Sequence, residues 1–201
     1  MWDGFPTRTW DSQVYKWTVD CESDFGGRDE STTGLIHGLP KILQVFKEFH
    51  VKALFFISTE LLSTSFTKGF DWLVNDILEA GHEIGSHGHF HTVYKESFRK
   101  EADRQLSLQI LASYQSIPKE SIRYRAPKFN YEVCGELYSY RDSHVSLLKH
   151  IWFGKEIKKE MIVYLHPFDI VGGNNPPNLF CRVWYSRPDM AYKKLKELLE
   201  T

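Results

Sequence analysis

Apolar residues recur in this chain with two alternating periods, one of strand length and one helical. Gln13 to Val19 is rich in β-formers (Val14, Tyr15, Trp17, Val19), runs directly into Asp20 and predicts a first strand. After a glycine-containing loop (Asp24–Phe25–Gly26–Gly27–Arg28), Leu39, Ile42, Leu43, Phe46 and Phe49 share one face of a helix, with Pro40 expected near its first turn. Val51 to Ile57 is a continuous apolar run, as in a parallel strand buried on both faces. Phe70, Leu73, Val74, Ile77 and Leu78 predict a second helix, with Gly81 as its C-terminal cap. His82 to Ser86 reads as a third strand, and a helix after Ser97 is expected to turn Phe98, Ala102, Leu106 and Ile110 inward. Ile122 to Arg125 reads as a fourth strand, Met161 to Leu165 as a further one, and Pro188 to Leu199 as a closing amphipathic helix. Strands alternating with helices imply βαβ units and a parallel sheet, either doubly wound or closed into a barrel. No linker or repeat interrupts them, so residues 1–201 read as one α/β domain.

In such folds polar chemistry collects at the C-terminal ends of the strands. Those ends here carry Asp20 and Glu22, then His87, Gly88, His89 and His91, then Arg125, and lastly His166–Pro167. Asp20 and Glu22 are two apart and point the same way on an extended strand, while Cys21 points oppositely. One carboxylate could hold a metal while the other abstracts a proton from water, and Asp24 is a third acid within reach. His87 and His91 fall on one face if the segment turns helically, so both rings can reach one cation, whereas His82 and His89 read as structural. Arg125, before Ala126–Pro127, could keep a carboxylate ionised and oriented.

Composition narrows the partners. A formal net charge of -1 with no long basic run offers no field for nucleic acid. No apolar stretch reaches membrane-span length, and the N-terminus lacks the basic and apolar regions of a secretory signal, so a cytoplasmic protein is expected. Three widely spaced cysteines (Cys21, Cys134, Cys181) form neither a disulfide framework nor a zinc ribbon and read as reduced thiols.

Four segments together resemble the polysaccharide deacetylases of carbohydrate esterase family four: Thr18–Val19–Asp20–Cys21–Glu22, Gly85–Ser86–His87–Gly88–His89–Phe90–His91, Arg125–Ala126–Pro127 and Tyr164–Leu165–His166–Pro167. The lead-in Gly81–His82–Glu83–Ile84–Gly85 is similar too, and the resemblance runs from about Val14 to Phe168. It implies a distorted (β/α) barrel and a zinc-like divalent ion held by Glu22, His87 and His91. Asp20 would be the general base, oriented by Arg125, His166 the general acid, and the backbone N–H of Lys128 an oxyanion donor. The implied substrate is an N-acetylated sugar or glycan, and a surface-glycan intermediate is the expected kind. The sequence departs from the family in having Asp-x-Glu where two adjacent aspartates are usual, and Gly88 where Thr or Ser is common. The stretch from Pro127 to His166 is short, which implies an incomplete barrel or a compact member, and Tyr140–Arg141–Asp142–Ser143 resembles a segment found soon after the third motif. Three other functions use similar parts: a non-haem iron oxygenase, a C–N hydrolase acting on a cyclic amide or ureide, and a catalytically inactive sugar-binding domain. Trp72, Tyr94, Phe129, Tyr131, Trp152 and Trp184 are candidate sugar-stacking aromatics.

Overall fold

A computed structural model describes residues 16–24, 31–63, 70–92, 94–115, 118–119, 122–127, 144–158, 161–172 and 179–200. In chain order its elements are β1 (Lys16–Cys21), α1 (Thr33–Glu48), β2 (Ala53–Ile57), a 3₁₀ turn (Thr59–Leu62), α2 (Asp71–Glu79), β3 (Glu83–Ser86) and α3 (Ser97–Gln115). They continue with β4 (His144–Ser146), α4 (Leu147–Phe153), β5 (Ile162–Leu165), α5 (Pro167–Val171), α6 (Leu179–Trp184) and α7 (Pro188–Leu199).

The five strands form one parallel sheet in the order β3-β2-β1-β5-β4. Chain neighbours are sheet neighbours on each side of β1, and the last strand pairs with the first, Trp17 opposite Val163 and Val19 opposite Leu165. Ser86 forms one further parallel bridge to Tyr124 beyond β3. Among the described residues the arc is open between that bridge and β4.

Strand alternation decides between the two architectures. Trp17, Val19 and Cys21 of β1, Ala53, Phe55 and Ile57 of β2, and Val163 and Leu165 of β5 point to one face. There they join Leu39, Ile42 and Phe46 of α1, Val74 and Ile77 of α2, Leu111 of α3, Leu147 of α4 and Leu195 of α7 in one core cluster. Among the described residues the helices thus pack against that side of the sheet. The other face carries Thr18, Asp20, Phe56 and Tyr164, gathered round Arg125. A doubly wound sheet is covered on both faces, so the chain is an α/β fold built as an incomplete (β/α) barrel with a partly polar interior.

Several elements differ locally from expectation. Residues 122–125 contribute one bridge rather than a strand. Pro40 stands well inside α1, on its exposed side, because the helix begins earlier: the Asp24 carboxylate accepts the Gly34 N–H (2.9 Å) and the Ser31 hydroxyl (2.7 Å) and so starts it from a distance. On α3 the stripe Phe98, Ala102, Leu106 faces outward, and the buried face is Asp103, Ser107, Leu108 and Leu111. Gly81 caps α2 as expected, at φ 75°, with its own N–H on the Leu78 carbonyl and the His82 N–H on that of Ile77.

His82 is a core residue. Its ring packs against Phe46 and Phe55 at 5.8 and 5.1 Å, and Nδ1 accepts the Ala53 N–H. Burial, with a smaller contribution from Lys52, lowers its pKa to about 4. An unfolded chain takes up this proton near pH 6.5 and the folded one only near 4, so the stability it carries is present above 6.5 and lost as pH falls through that window. The loss should approach about 3 kcal/mol. Urea midpoints between pH 7 and 4 should fall less steeply for His82→Gln than for the parent chain; equal slopes would refute the assignment.

Candidate metal centre

The site begins at the end of β1. Because Cys21 packs into the core, where burial raises its thiol pKa, Asp20 and Glu22 both project to the interior of the arc. Asp24, whose two oxygens serve the start of α1, is not part of the cluster.

Asp20 Oδ1 accepts from Arg125 Nη1 at 2.5 Å, and Arg125 Nη2 donates to Thr18 Oγ1 at 2.8 Å. Phe56 lies against the guanidinium, 4.1 Å from ring centroid to Cζ. Asp20 and Arg125 are 1 % and 2 % exposed, so each charge depends on the other for compensation. The second oxygen of Asp20, Oδ2, is buried with no hydrogen-bond partner and lies 4.0 Å from His87 Nε2.

Residues 87–91 leave β3 as a compact loop that is not helical, and His91 adopts φ 48°. The two rings nevertheless come together, 4.9 Å apart at their centroids. His87 Nδ1 donates to the Arg125 carbonyl (2.9 Å), which leaves the Nε2 lone pair facing the interior. Glu22 Oε2 lies 3.3 Å from that nitrogen and in contact with His91 Nε2. One donor atom from each of Glu22, His87 and His91 falls within 4.8 Å of the others, the only such group among the described residues. Two imidazoles and a carboxylate, with Glu22 Oε2 lacking a hydrogen bond, suit a divalent cation with positions left for other ligands. Asp20 pairs with Arg125, whereas Glu22 and Asp169 face the imidazole of His166. Burial alone would raise the Glu22 pKa, but His91, His87 and His166 hold it below the usual carboxylate range.

From the end of β5, His166 brings Nε2 to 3.6 Å from Glu22 Oε1. Its Nδ1 lies 3.3 Å from Asp169 Oδ2, which also accepts the His166 backbone N–H at 2.8 Å. Burial opposes the charged imidazole, yet Asp169, Glu22 and Asp20 raise its pKa to about 9. The sequence reading did not single out Asp169. Its signal was an acid three residues after a helix-starting His-Pro, the spacing of a capping box, which the structure contains.

Asp103 was also missed. Its Oδ2 and Oδ1 accept the backbone N–H groups of His89 (2.9 Å) and Phe90 (3.1 Å), between the two paired histidines. Gly88 has φ 82°, and a Cβ there would stand 2.7 Å from Asp103 Oδ2, which explains the missing Thr or Ser. His89 bonds Thr59 Oγ1 (3.0 Å) and is structural. Lys128, Phe129, Tyr131 and the 140–143 segment lie outside the described residues, as does the side chain of Trp184. Trp72 packs on Phe70, Trp152 lies under Arg187, and Tyr94 is half-buried.

A family model described as "Polysaccharide deacetylase" matches residues 33–133. Several solved structures share the fold. A mutant of a CE4 family pseudoenzyme, with restored enzymatic activity, aligns at TM-score 0.57 and 18 % identity over 94 % of this chain and 64 % of its own. Peptidoglycan deacetylase PdaC from Bacillus subtilis aligns at TM-score 0.58 and 14 % identity, over 94 % of this chain and 85 % of its own. The chitin deacetylase from the fungal pathogen Colletotrichum lindemuthianum aligns at TM-score 0.55 and 15 % identity, over 92 % of this chain and 80 % of its own. The chain therefore spans less than two thirds of the first of these relatives. No curated protein matches the sequence significantly.

Removing one partner of the buried pair should be costly. Arg125→Met leaves an uncompensated Asp20 and should cost about 3–5 kcal/mol, while adding Asp20→Leu should recover most of it. Denaturant titration of the two variants checks this; equal instability of the single and double replacements would contradict it.

Proposed function

The chain belongs to the polysaccharide deacetylase family, and from that premise we propose that it is a metal-dependent hydrolase removing an N-acetyl group from a sugar. The observation that carries this reading is the convergence of Glu22, His87 and His91, with Asp20 Oδ2 4.0 Å from His87 and His166 Nε2 3.6 Å from Glu22. We assign the whole chain, 1–201, to one catalytic domain acting on an intermediate of surface-glycan synthesis. No helix among the described residues is long and apolar enough to cross a membrane.

Glu22, His87 and His91 would hold the ion, for which zinc is the best match to the donor set. When bound, such an ion supplies an acidified water and a Lewis acid for the acyl carbonyl. The chain's own groups divide the remaining work. Arg125 occupies Oδ1 of Asp20, so Oδ2, the oxygen turned toward the ligand trio, is the one to accept the proton of the attacking water. His166, protonated at neutral pH and held through Nδ1 by Asp169, delivers a proton from Nε2 to the departing amine. The backbone N–H of Lys128 is the proposed second stabiliser of the oxyanion.

Each role proposed above has a candidate residue in this chain, so an inactive sugar-binding role draws no support from a missing residue. The trio alone would also suit a non-haem iron centre, but Asp20 and the His166–Asp169 pair have no task there.

Metal analysis of the purified protein should find about one divalent ion per chain, and a panel of N-acetylated sugars should release acetate. Chelation should abolish that release and zinc restore it. Asp20→Asn should retain the metal and lose about 10²–10⁴ in kcat. Full activity after complete metal removal would overturn the reading.

A further inference from the structure

The loop between the two histidine ligands has an unusual internal occupant. Gly88, His89 and Phe90 carry three consecutive backbone N–H groups that enter no helix: those of His89 and Phe90 meet α3, and that of Gly88 meets Ser86. The left-handed Gly88 (φ 82°) turns them to converge, a concavity that suits an anion. The Asp103 carboxylate fills it, one oxygen on the His89 N–H and the other on the Phe90 N–H. The third N–H, of Gly88, reaches Ser86 Oγ at 3.2 Å, and that hydroxyl bonds Ser107 Oγ at 2.7 Å, one turn along α3 from Asp103. On the opposite side the carbonyls of Gly88 and His89 accept the N–H groups of Thr59 and Glu60, both at 3.0 Å. Asp103 is 7 % exposed and forms no ion pair among the described residues.

We propose that Asp103, seconded by Ser107, is a positioning residue for the metal ligands: its carboxylate fixes the backbone that sets His87 and His91 side by side. The proposal rests on the metal-dependent reading above and extends it to a residue that touches neither ion nor substrate. The physical reason lies in the loop's conformation. His91 is held at φ 48°, a region in which a residue with a Cβ is strained, and loops keep such angles only when their surroundings enforce them. Without the carboxylate, two backbone donors lose their acceptors and the loop relaxes, moving the two imidazoles off a common centre. The carboxylate geometry matters as well as its charge: an amide in its place offers one acceptor oxygen and turns an NH₂ toward the second N–H.

The test is binding of zinc alone to metal-stripped protein, by competition with a chromophoric chelator, and the visible spectrum of the cobalt-loaded protein. Asp103→Asn should remain folded by circular dichroism and bind zinc about 10–100-fold more weakly. Its cobalt spectrum should be altered, and its deacetylation rate should recover as zinc is raised above the new Kd. A role limited to fold stability would lower the melting temperature and leave affinity and spectrum at wild-type values; that result, in folded Asp103→Asn, overturns the proposal. Should Asp103→Asn fail to fold, Ser107→Ala decides. Zinc binding weakened at least threefold supports the proposal, and wild-type affinity overturns it. Parent protein that binds no zinc defeats the metal reading and this inference together. Parent protein that binds zinc, with unaffected variants, defeats this inference alone.

Discussion

The Arg125 guanidinium is among the largest fully buried groups in the molecule, and a buried cation must be met with charge, hydrogen bonds and polarisable surface. Asp20 and Thr18 of β1 supply the first two, and the rings of Phe56 of β2 and Tyr164 of β5 the third. One side chain from a connecting segment thereby fixes three strands relative to each other. A slip of one residue in β1 would carry Asp20 into the helix-covered core and bring Trp17 inside the arc. The same pair that satisfies the cation leaves one Asp20 oxygen unoccupied and turned toward His87, so the structural constraint and the chemistry share a carboxylate.

Strand ends were the legible part of this sequence. A strand's period of two separates Asp20 and Glu22 from Cys21 without any tertiary information, and the core position of Cys21 follows that alternation. The grouping of Glu22, His87 and His91 and the Asp20–Arg125 pair likewise follow the motifs read in order along the chain. The helical rationale for His87 and His91 was less sound: the four-residue spacing brings the rings together through a tight loop, with a left-handed His91 that no periodicity foretells. Asp103 and α3 were illegible because apolar spacing placed Phe98, Ala102 and Leu106 inside. The helix instead buries an aspartate and a serine, whose partners are backbone amides at the end of β3. Pro40 misled in the same way, since the group that starts α1 is Asp24, outside any local window.

The two faces of β1 separate the apolar core from the candidate site. Trp17, Val19 and Cys21 serve the apolar core, and Thr18, Asp20 and Glu22 serve the interior. Substitution on the interior face need not disturb the helix-packed core, except at the coupled Asp20–Arg125 pair. Among its structural relatives the chain counts a pseudoenzyme whose mutant has restored enzymatic activity.

The pairing of β1 with β5 also bears on how the molecule is made. Among the described strands the central one, β1, comes first along the chain, and the neighbour that completes one of its two hydrogen-bonded edges, β5, comes last. Until Ile162 to Leu165 are available, β1 and β2 can pair while the other edge of β1 offers unpaired amides and carbonyls to any extended chain nearby. Contacts of such long sequence separation slow folding. The assembly of Glu22 with His166 is therefore a late event, and synthesis interrupted before β5 leaves a fragment with an adhesive edge and no complete centre.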